Sequence, residues 1–292
     1  MMQVWSPSWP GVSAIEPDDV FRGRLLIAVP HMDDEALACG GTIARLSRKE
    51  RIHLVYAGDG SRAPEPVVPW LDAVSPDLGA IRRDESVAAM RRLGVPEHNL
   101  HFLDFPEARL EQHLQALSTR IWELMVRIAP DHVLAPFRFD RHRDHVALNR
   151  VVTDACRAFG GLPLTEYFVY HRWKLLPGGD VRRYLRPSEL LLVDTREVAD
   201  AKRAALECFR TQTTRFYPWQ SRPNLTPTLL DGVSMEPELF LRYRAALPGA
   251  TVFTGSAAWI QVAHRLESPL KRVKDRAVAL ARRAFALRLR YS

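Results

Sequence analysis

Residues 25–46 read LLIAVPHMDDEALACGGTIARL. Five apolar residues run unbroken to Pro30; His31, Met32 and three consecutive acids, Asp33, Asp34 and Glu35, follow and lead into an Ala/Leu-rich segment. An apolar run this short, with no polar alternation, predicts a strand buried on both faces, as in a parallel sheet covered by helices. The acids cannot share that core. The strand must therefore deliver them to an edge of the sheet.

The same alternation continues through the first half. Strand-like runs at 24–29, 51–58, 100–105 and 131–137 are separated by helix-like segments at 35–50, 78–95 and 110–129, and 145–160 follows as a further helix. This predicts an α/β fold: a doubly wound, mostly parallel, Rossmann-like sheet with helices on both faces. The C-terminal half is irregular. Residues 166–173 and 185–195 read as strands, 196–212 as a helix, and 216–238 as a long proline-bearing loop. Residues 1–267 are expected to form one catalytic domain, followed by a basic amphipathic helix at 268–292.

Composition narrows the class. At 292 residues and 47% hydrophobic, the chain can bury a large core. Cys39, Cys156 and Cys208 are widely spaced and form no CxxC, which argues against a disulfide scaffold and a cysteine zinc site. The N-terminus lacks the pattern of a signal peptide, and no apolar run approaches the ~20 residues that span a bilayer, so a cytoplasmic protein is expected. The net charge of +7 lies in the tail, where residues 268–292 hold eight Lys/Arg and one acid. A near-neutral remainder and a tail with only Phe285 and Tyr291 as aromatics speak against nucleic acid. The tail reads as a helix docked on the domain or as a peripheral membrane contact.

In open α/β sheets, ligands bind beyond the carboxyl ends of the strands. The acid cluster ends the first strand, and FDRHRDH (139–145) follows the strand at 131–137, so both fall on one rim. His31 and Asp34, with His145, can hold one metal ion and leave a position open for water, the pattern of catalytic zinc. A cation also relieves the crowding of acids. Asp33 is then placed to act as general base, and His142 to donate to a developing oxyanion. Acids before a helix are also ordinary caps, and Glu35 reads as a cap or as support for the ligands.

PHMDDEALACGGTIA with a later DRHRDH resembles the PIG-L/LmbE-type N-acetylglucosaminide deacetylases, whose motifs are P-H-P-D-D-E and H-P-D-H. LGAIRRDESVAAMRRLGV, FLDFPEARL and PDHVLAPF resemble further stretches of that family. The resemblance implies zinc on His31, Asp34 and His145, with iron(II) suited to the same ligands. It implies Asp33 as base, His142 at the oxyanion or leaving amine, and Asp144 orienting a histidine. Arg82 and Glu107 match positions that touch the sugar or its aglycone. Met32 and Arg143 replace the two motif prolines, which suggests a looser site and, at Arg143, contact with an anionic substrate. The expected partner is a small molecule or glycan bearing an N-acetyl group. The rivals are the same site on another amide, such as a thiol-precursor or antibiotic glycoside, and a non-enzymatic sugar-binding module, against which Asp33 speaks. A nucleotide-binding Rossmann fold would need GxGxxG at the first turn; Gly40 and Gly41 instead lie inside the helix, where they suit close helix–sheet packing.

Overall fold

The computed structural model describes residues 9–63, 77–217, 220–243, 253–254, 262–263 and 266. The basic tail at 268–292 lies outside them. Among the described residues no helix is long and apolar enough to cross a membrane.

Seven strands form one sheet: β1 (Leu25–Val29), β2 (Ile52–Gly58), β3 (Leu100–Phe105), β4 (His132–Pro136), β5 (Leu164–Tyr167), β6 (Leu190–Val193) and β7 (Glu238–Tyr243), in the order β3-β2-β1-β4-β5-β7-β6. β1 to β5 run parallel; β7 is antiparallel to both β5 and β6. The helices are α1 (Pro17–Val20), α2 (Asp34–Arg45), α3 (Leu78–Arg92), α4 (Leu114–Ile128), α5 (Arg143–Ala158), α6 (Ala199–Leu206), α7 (Arg210–Thr213) and α8 (Pro227–Met235).

The composition of β1 explains its place. Leu25, Ile27 and Val29 face one core with α2, α3, α6 and α8, while Leu26 and Ala28 face the other with α4 and α5. Successive side chains alternate between faces, so a strand covered on both sides must be apolar throughout. α4 meets its core through Leu117, Ile121, Leu124, Met125 and Ile128, one stripe at helical spacing.

The second half departs from the expectation in several places. The strand expected at 166–173 is β5 and ends at Tyr167, and the one expected at 185–195 is confined to β6, after a 3-10 turn at Pro187–Glu189. The segment 216–238 is not a continuous loop, because it contains α8. Pro227 and Gly232 look like breakers, but proline suits the first turn of a helix, and the Thr226 side chain accepts from the Leu229 N–H to cap it. The span after it forms β7, which pairs antiparallel between β5 and the edge strand β6. The helix expected at 196–212 is broken into a 3-10 turn, α6 and α7.

Gly40 and Gly41 allow close packing, part of it on the sheet, where a Cβ at Gly41 would lie 3.2 Å from Oε1 of Glu238 in β7. A Cβ at Gly41 would lie 2.4 Å from Cγ2 of Thr195, and one at Gly40 3.2 Å from Cγ of Lys202. They admit the second half of the chain against α2. There Glu238, at the start of β7, accepts from the N–H groups of Gly41 and Thr42, both at 2.7 Å. Lys202 on α6 pairs with the same carboxylate at 2.8 Å, and both side chains are buried. Lys202→Met would leave the Glu238 charge with backbone donors only. Removing one partner of a buried pair costs ~3–5 kcal/mol, and with two N–H bonds retained we expect a loss of roughly 2–4 kcal/mol in urea unfolding; an unchanged midpoint would show that the pair does not fasten the two halves.

Candidate active site

The strand order reverses direction between β1 and β4, the switch point where such sheets bind ligands. Both motifs leave the sheet there. The Pro30 carbonyl still accepts from Gly58 N on β2 (3.0 Å), and α2 begins four residues later with Asp34 and Glu35 in its first turn, where carboxylates favour the helix dipole. Between them Asp33 takes φ 136°, a positive value that only glycine adopts without strain, and this costs ~1–3 kcal/mol. The Glu35 carboxylate offsets it. One oxygen accepts from Asp33 N and the other from Tyr56 O–H, both at 3.0 Å. The twist turns two adjacent acids to different tasks.

After β4, the chain turns through Phe137 and Asp140 into α5. His142 caps this helix, its Nδ1 accepting from Asp144 N at 3.3 Å. With Nδ1 an acceptor, a neutral His142 ring carries its proton on Nε2.

Three donors from the two motifs converge. Nδ1 of His31 lies 3.2 Å from Oδ2 of Asp34 and 3.2 Å from Nε2 of His145; Nε2 of His145 lies 3.1 Å from Oδ2 of Asp34. Tetrahedral ligands about 2.0–2.1 Å from a zinc ion stand about 3.3–3.4 Å apart. The triangle therefore has the dimensions of one face of such a coordination sphere. His31, His142 and His145 also bring ring nitrogens within 4.8 Å of one another. That set is looser, and the tight triangle is the better cation seat, with His142 beside it.

The outward nitrogens of both triangle histidines meet carboxylates. Nε2 of His31 is 3.1 Å from Oδ2 of Asp144, and Nδ1 of His145 is 3.3 Å from Oδ2 of Asp140, within ion-pair reach but off the line of a hydrogen bond. Carboxylates behind ligating histidines fix their tautomer and orientation. Asp144, expected to orient a histidine, does reach one, and it belongs to the other motif. Its carboxylate also takes the N–H groups of Ala108 (2.6 Å) and Leu110 (3.1 Å) in the loop after β3.

Burial disfavours charge on both imidazoles. The adjoining carboxylates outweigh it, raising His31 to about 9 through Asp144 and Asp34, and His145 to about 10 through Asp140 and Asp34. Asp34 is buried as well, yet these imidazoles hold its carboxyl well below the usual range. Protons thus occupy the place a cation would take. Asp33 behaves oppositely: burial lifts it to about 7, although Arg82 nearby opposes the shift.

A cavity of about 900 Å³ opens over the triangle and is lined by His31, Asp33, Arg82, Glu107, His142 and Tyr170, among others. Arg82, 1% exposed, lies 3.7 Å from Oδ2 of Asp33 and 3.3 Å from Oε2 of Glu107, and it donates to the Met32 carbonyl. Met32 is fully buried, so core packing holds the position where the family motif has proline. Arg143 is placed differently. It pairs with Glu111 at 2.8 Å on the surface and does not line the cavity, so the geometry lends no support to a substrate contact there.

Sequence reasoning gave no role to Asp140 or Tyr170. Asp140 stands inside the second motif, and its spacing from His145 was a readable signal. Its carboxylate also accepts from His142 N (2.8 Å) and Tyr170 N (3.1 Å). Tyr170 brings its ring within 5.3 Å of the His145 ring, and no motif marks it.

A Rossmann-like sheet with a His/Asp/His cation seat at its switch point defines a class of α/β protein with a candidate metal centre. The model of one family, PIG-L, described as GlcNAc-PI de-N-acetylase, matches residues 26–156. It is 28% identical over 240 residues to a 1D-myo-inositol 2-acetamido-2-deoxy-alpha-D-glucopyranoside deacetylase of Rhodococcus jostii, covering 65% of this chain and 82% of the relative. It is 24% identical over 266 residues to a protein of the same description from Nocardioides sp., covering 70% and 88%. The solved N,N'-diacetylchitobiose deacetylase from Pyrococcus horikoshii shares the fold with a TM-score of 0.58 at 18% identity, over 82% of this chain and 91% of that one.

A divalent cation entering the triangle must displace the protons on His31 and His145. Calorimetry in buffers of different ionisation enthalpy should record close to two protons released per ion at neutral pH. Apparent affinity should climb with pH, by up to about 100-fold per unit while both rings are protonated. Asp140→Asn should weaken the affinity ~10–100-fold. Full metal retention in each of the His31→Ala, Asp34→Ala and His145→Ala variants would remove the assignment.

Proposed function

We propose that the protein is a metal-dependent hydrolase that removes the acetyl group from an N-acetylated amino sugar, with zinc as the ion best suited to the donors and iron(II) compatible with them. The observation that carries this reading is the pairing of the triangle of His31, Asp34 and His145 with Asp33, a carboxylate beside the triangle that faces the cavity. A binding module needs no such group. The family match and the deacetylase relatives support the same conclusion.

When bound by His31, Asp34 and His145, the cation supplies Lewis acidity toward water and the acetyl carbonyl. Asp33 takes the proton of the attacking water. Arg82 and Glu35 hold that carboxylate in place, one through its charge and the other through the Asp33 N–H. Nε2–H of His142 donates to the oxygen that gains charge, or passes a proton to the departing amine. Asp144 and Asp140 keep the triangle imidazoles oriented. Acetate and a free amino sugar leave.

Asp33 is active only when ionised. Its carboxyl is lifted to about 7 by burial, and a bound cation would lower it again. The kcat/KM for acetate release should therefore be lost as the pH falls, with an apparent pKa at or below about 7. Asp33→Asn should retain the metal and lose ~10²–10⁴-fold in rate. A variant within a few-fold of wild type would reduce Asp33 to a helix cap.

A further inference from the structure

The loop after β2, residues 59–63, borders the cavity through Ala63 and is fastened at both ends. At its start the Asp59 N–H donates to the Phe105 carbonyl (2.9 Å), and Oδ1 of Asp59 accepts from Glu107 N (3.2 Å). At its far end the Ala63 carbonyl accepts from Nε2 of Gln212 at 2.8 Å, a side chain 149 residues further on, in α7. Between these ties the Arg62 N–H donates to Oε2 of Glu107 at 3.1 Å, and the same oxygen accepts from Nη1 of Arg82 at 3.3 Å.

Gln212 is 2% exposed, yet its amide is well partnered. Nε2 donates to the Ala63 carbonyl and to Oγ1 of Thr211 (3.0 Å), and Oε1 accepts from Nδ2 of Asn224 (2.8 Å). Thr211 in turn donates its N–H and its hydroxyl to the two oxygens of Glu85, at 2.7 and 2.6 Å. Glu85 stands one turn along α3 from Arg82. Gln212 is therefore anchored on the helix that carries Arg82 and reaches from there to the loop that holds Glu107. An apolar side chain could fill the same volume but could not hold the Ala63 carbonyl. A buried amide is costly unless its bonds are met, and a network in which they are met fixes one geometry. Hydrogen bonds to a carboxylate are among the stronger ones, so a displaced Arg62 N–H would be felt at Glu107.

We propose that Gln212 is a positioning residue for substrate binding. By holding the Ala63 carbonyl it keeps the Arg62 N–H on Glu107, and this fixes the Glu107 carboxylate at the cavity wall as an acceptor for a sugar hydroxyl. The role rests on the deacetylase reading, which supplies the sugar.

A contact made equally in the ground and transition states alters KM and leaves kcat unchanged. With methyl N-acetylglucosaminide and the metal-loaded full chain, Gln212→Leu should raise KM about tenfold, keep kcat within about twofold and leave metal affinity unaltered. Exchange of the Arg62 amide hydrogen should quicken by about tenfold or more. Glu107→Ala should raise KM at least as far, and Gln212→Leu added to it should change KM by less than about twofold. Gln212→Met, equally long and lacking the same bonds, replaces Gln212→Leu if that variant does not fold. Calorimetric binding of methyl glucosaminide, which cannot be deacetylated, should weaken about tenfold in the Gln212 variant. An unchanged KM, an effect undiminished in the Glu107→Ala background, or a fall in kcat together with metal affinity overturns the positioning role. No acetate release by the unaltered protein, with binding of the amine weakened as expected in the variant, overturns the deacetylase reading and leaves the role of Gln212 in sugar binding standing.

Discussion

Two imidazoles and a carboxylate, held 3.1–3.2 Å apart by segments 114 residues apart in the chain, set the terms for everything around them. Asp34, His31 and His145 are almost wholly buried, as are Asp140 and Asp144 behind them. Burying ionisable groups at this density is unfavourable unless each charge is matched. Protons serve in the bare protein, and a cation can serve in their place. The parallel sheet is what brings the groups together, because β1 and β4 are neighbours whose carboxyl ends open in the same direction.

The separation of Asp33 from Asp34 follows from that constraint. Two carboxylates in sequence would ordinarily repel each other or share one environment. A single strained residue sends one into the triangle and the other to the cavity wall, and Glu35 and Tyr56 hold the strain from below. The result is an asymmetry of protonation within two residues. Asp34 is fixed as an anion by its imidazoles, while burial leaves Asp33 able to exchange a proton near neutrality.

Much of this was legible in the chain itself. The unbroken run of β1 announced a strand covered on both faces, and the acids after it announced a rim. The sheet of the first half follows from such local patterns. What the sequence concealed depends on contacts between distant segments. β7 and α8 sit in a stretch crowded with Pro227, Gly232 and Pro237, where breakers mask short elements that pairing with β5 and β6 and packing on α2 make stable. Gly40 and Gly41 signalled a close approach, but the partners, Lys202 and Thr195, could not be named before the second half was placed. Asp140 was visible as a carboxylate in a motif, yet its target emerges only when the triangle is assembled. Tyr170 has no signature, since its place arises from the loop after β5 turning back over the site.

Asp144 joins the loop after β3 to the reaction centre, because one carboxylate holds His31 and the N–H groups of Ala108 and Leu110 together. That loop also carries Glu107. An insertion or a change of backbone path there would pull on His31 directly, so this wall is not free to drift over evolutionary time. The residues after β5 are tethered less directly, through Asp140 to the backbone of Tyr170 and through Arg141 to the carbonyl of Arg172, and those before α8 through Gln212. Diversification of what the pocket accepts should therefore be concentrated on that side, leaving the hydrolytic centre unaltered while the range of acceptable glycosides changes around it.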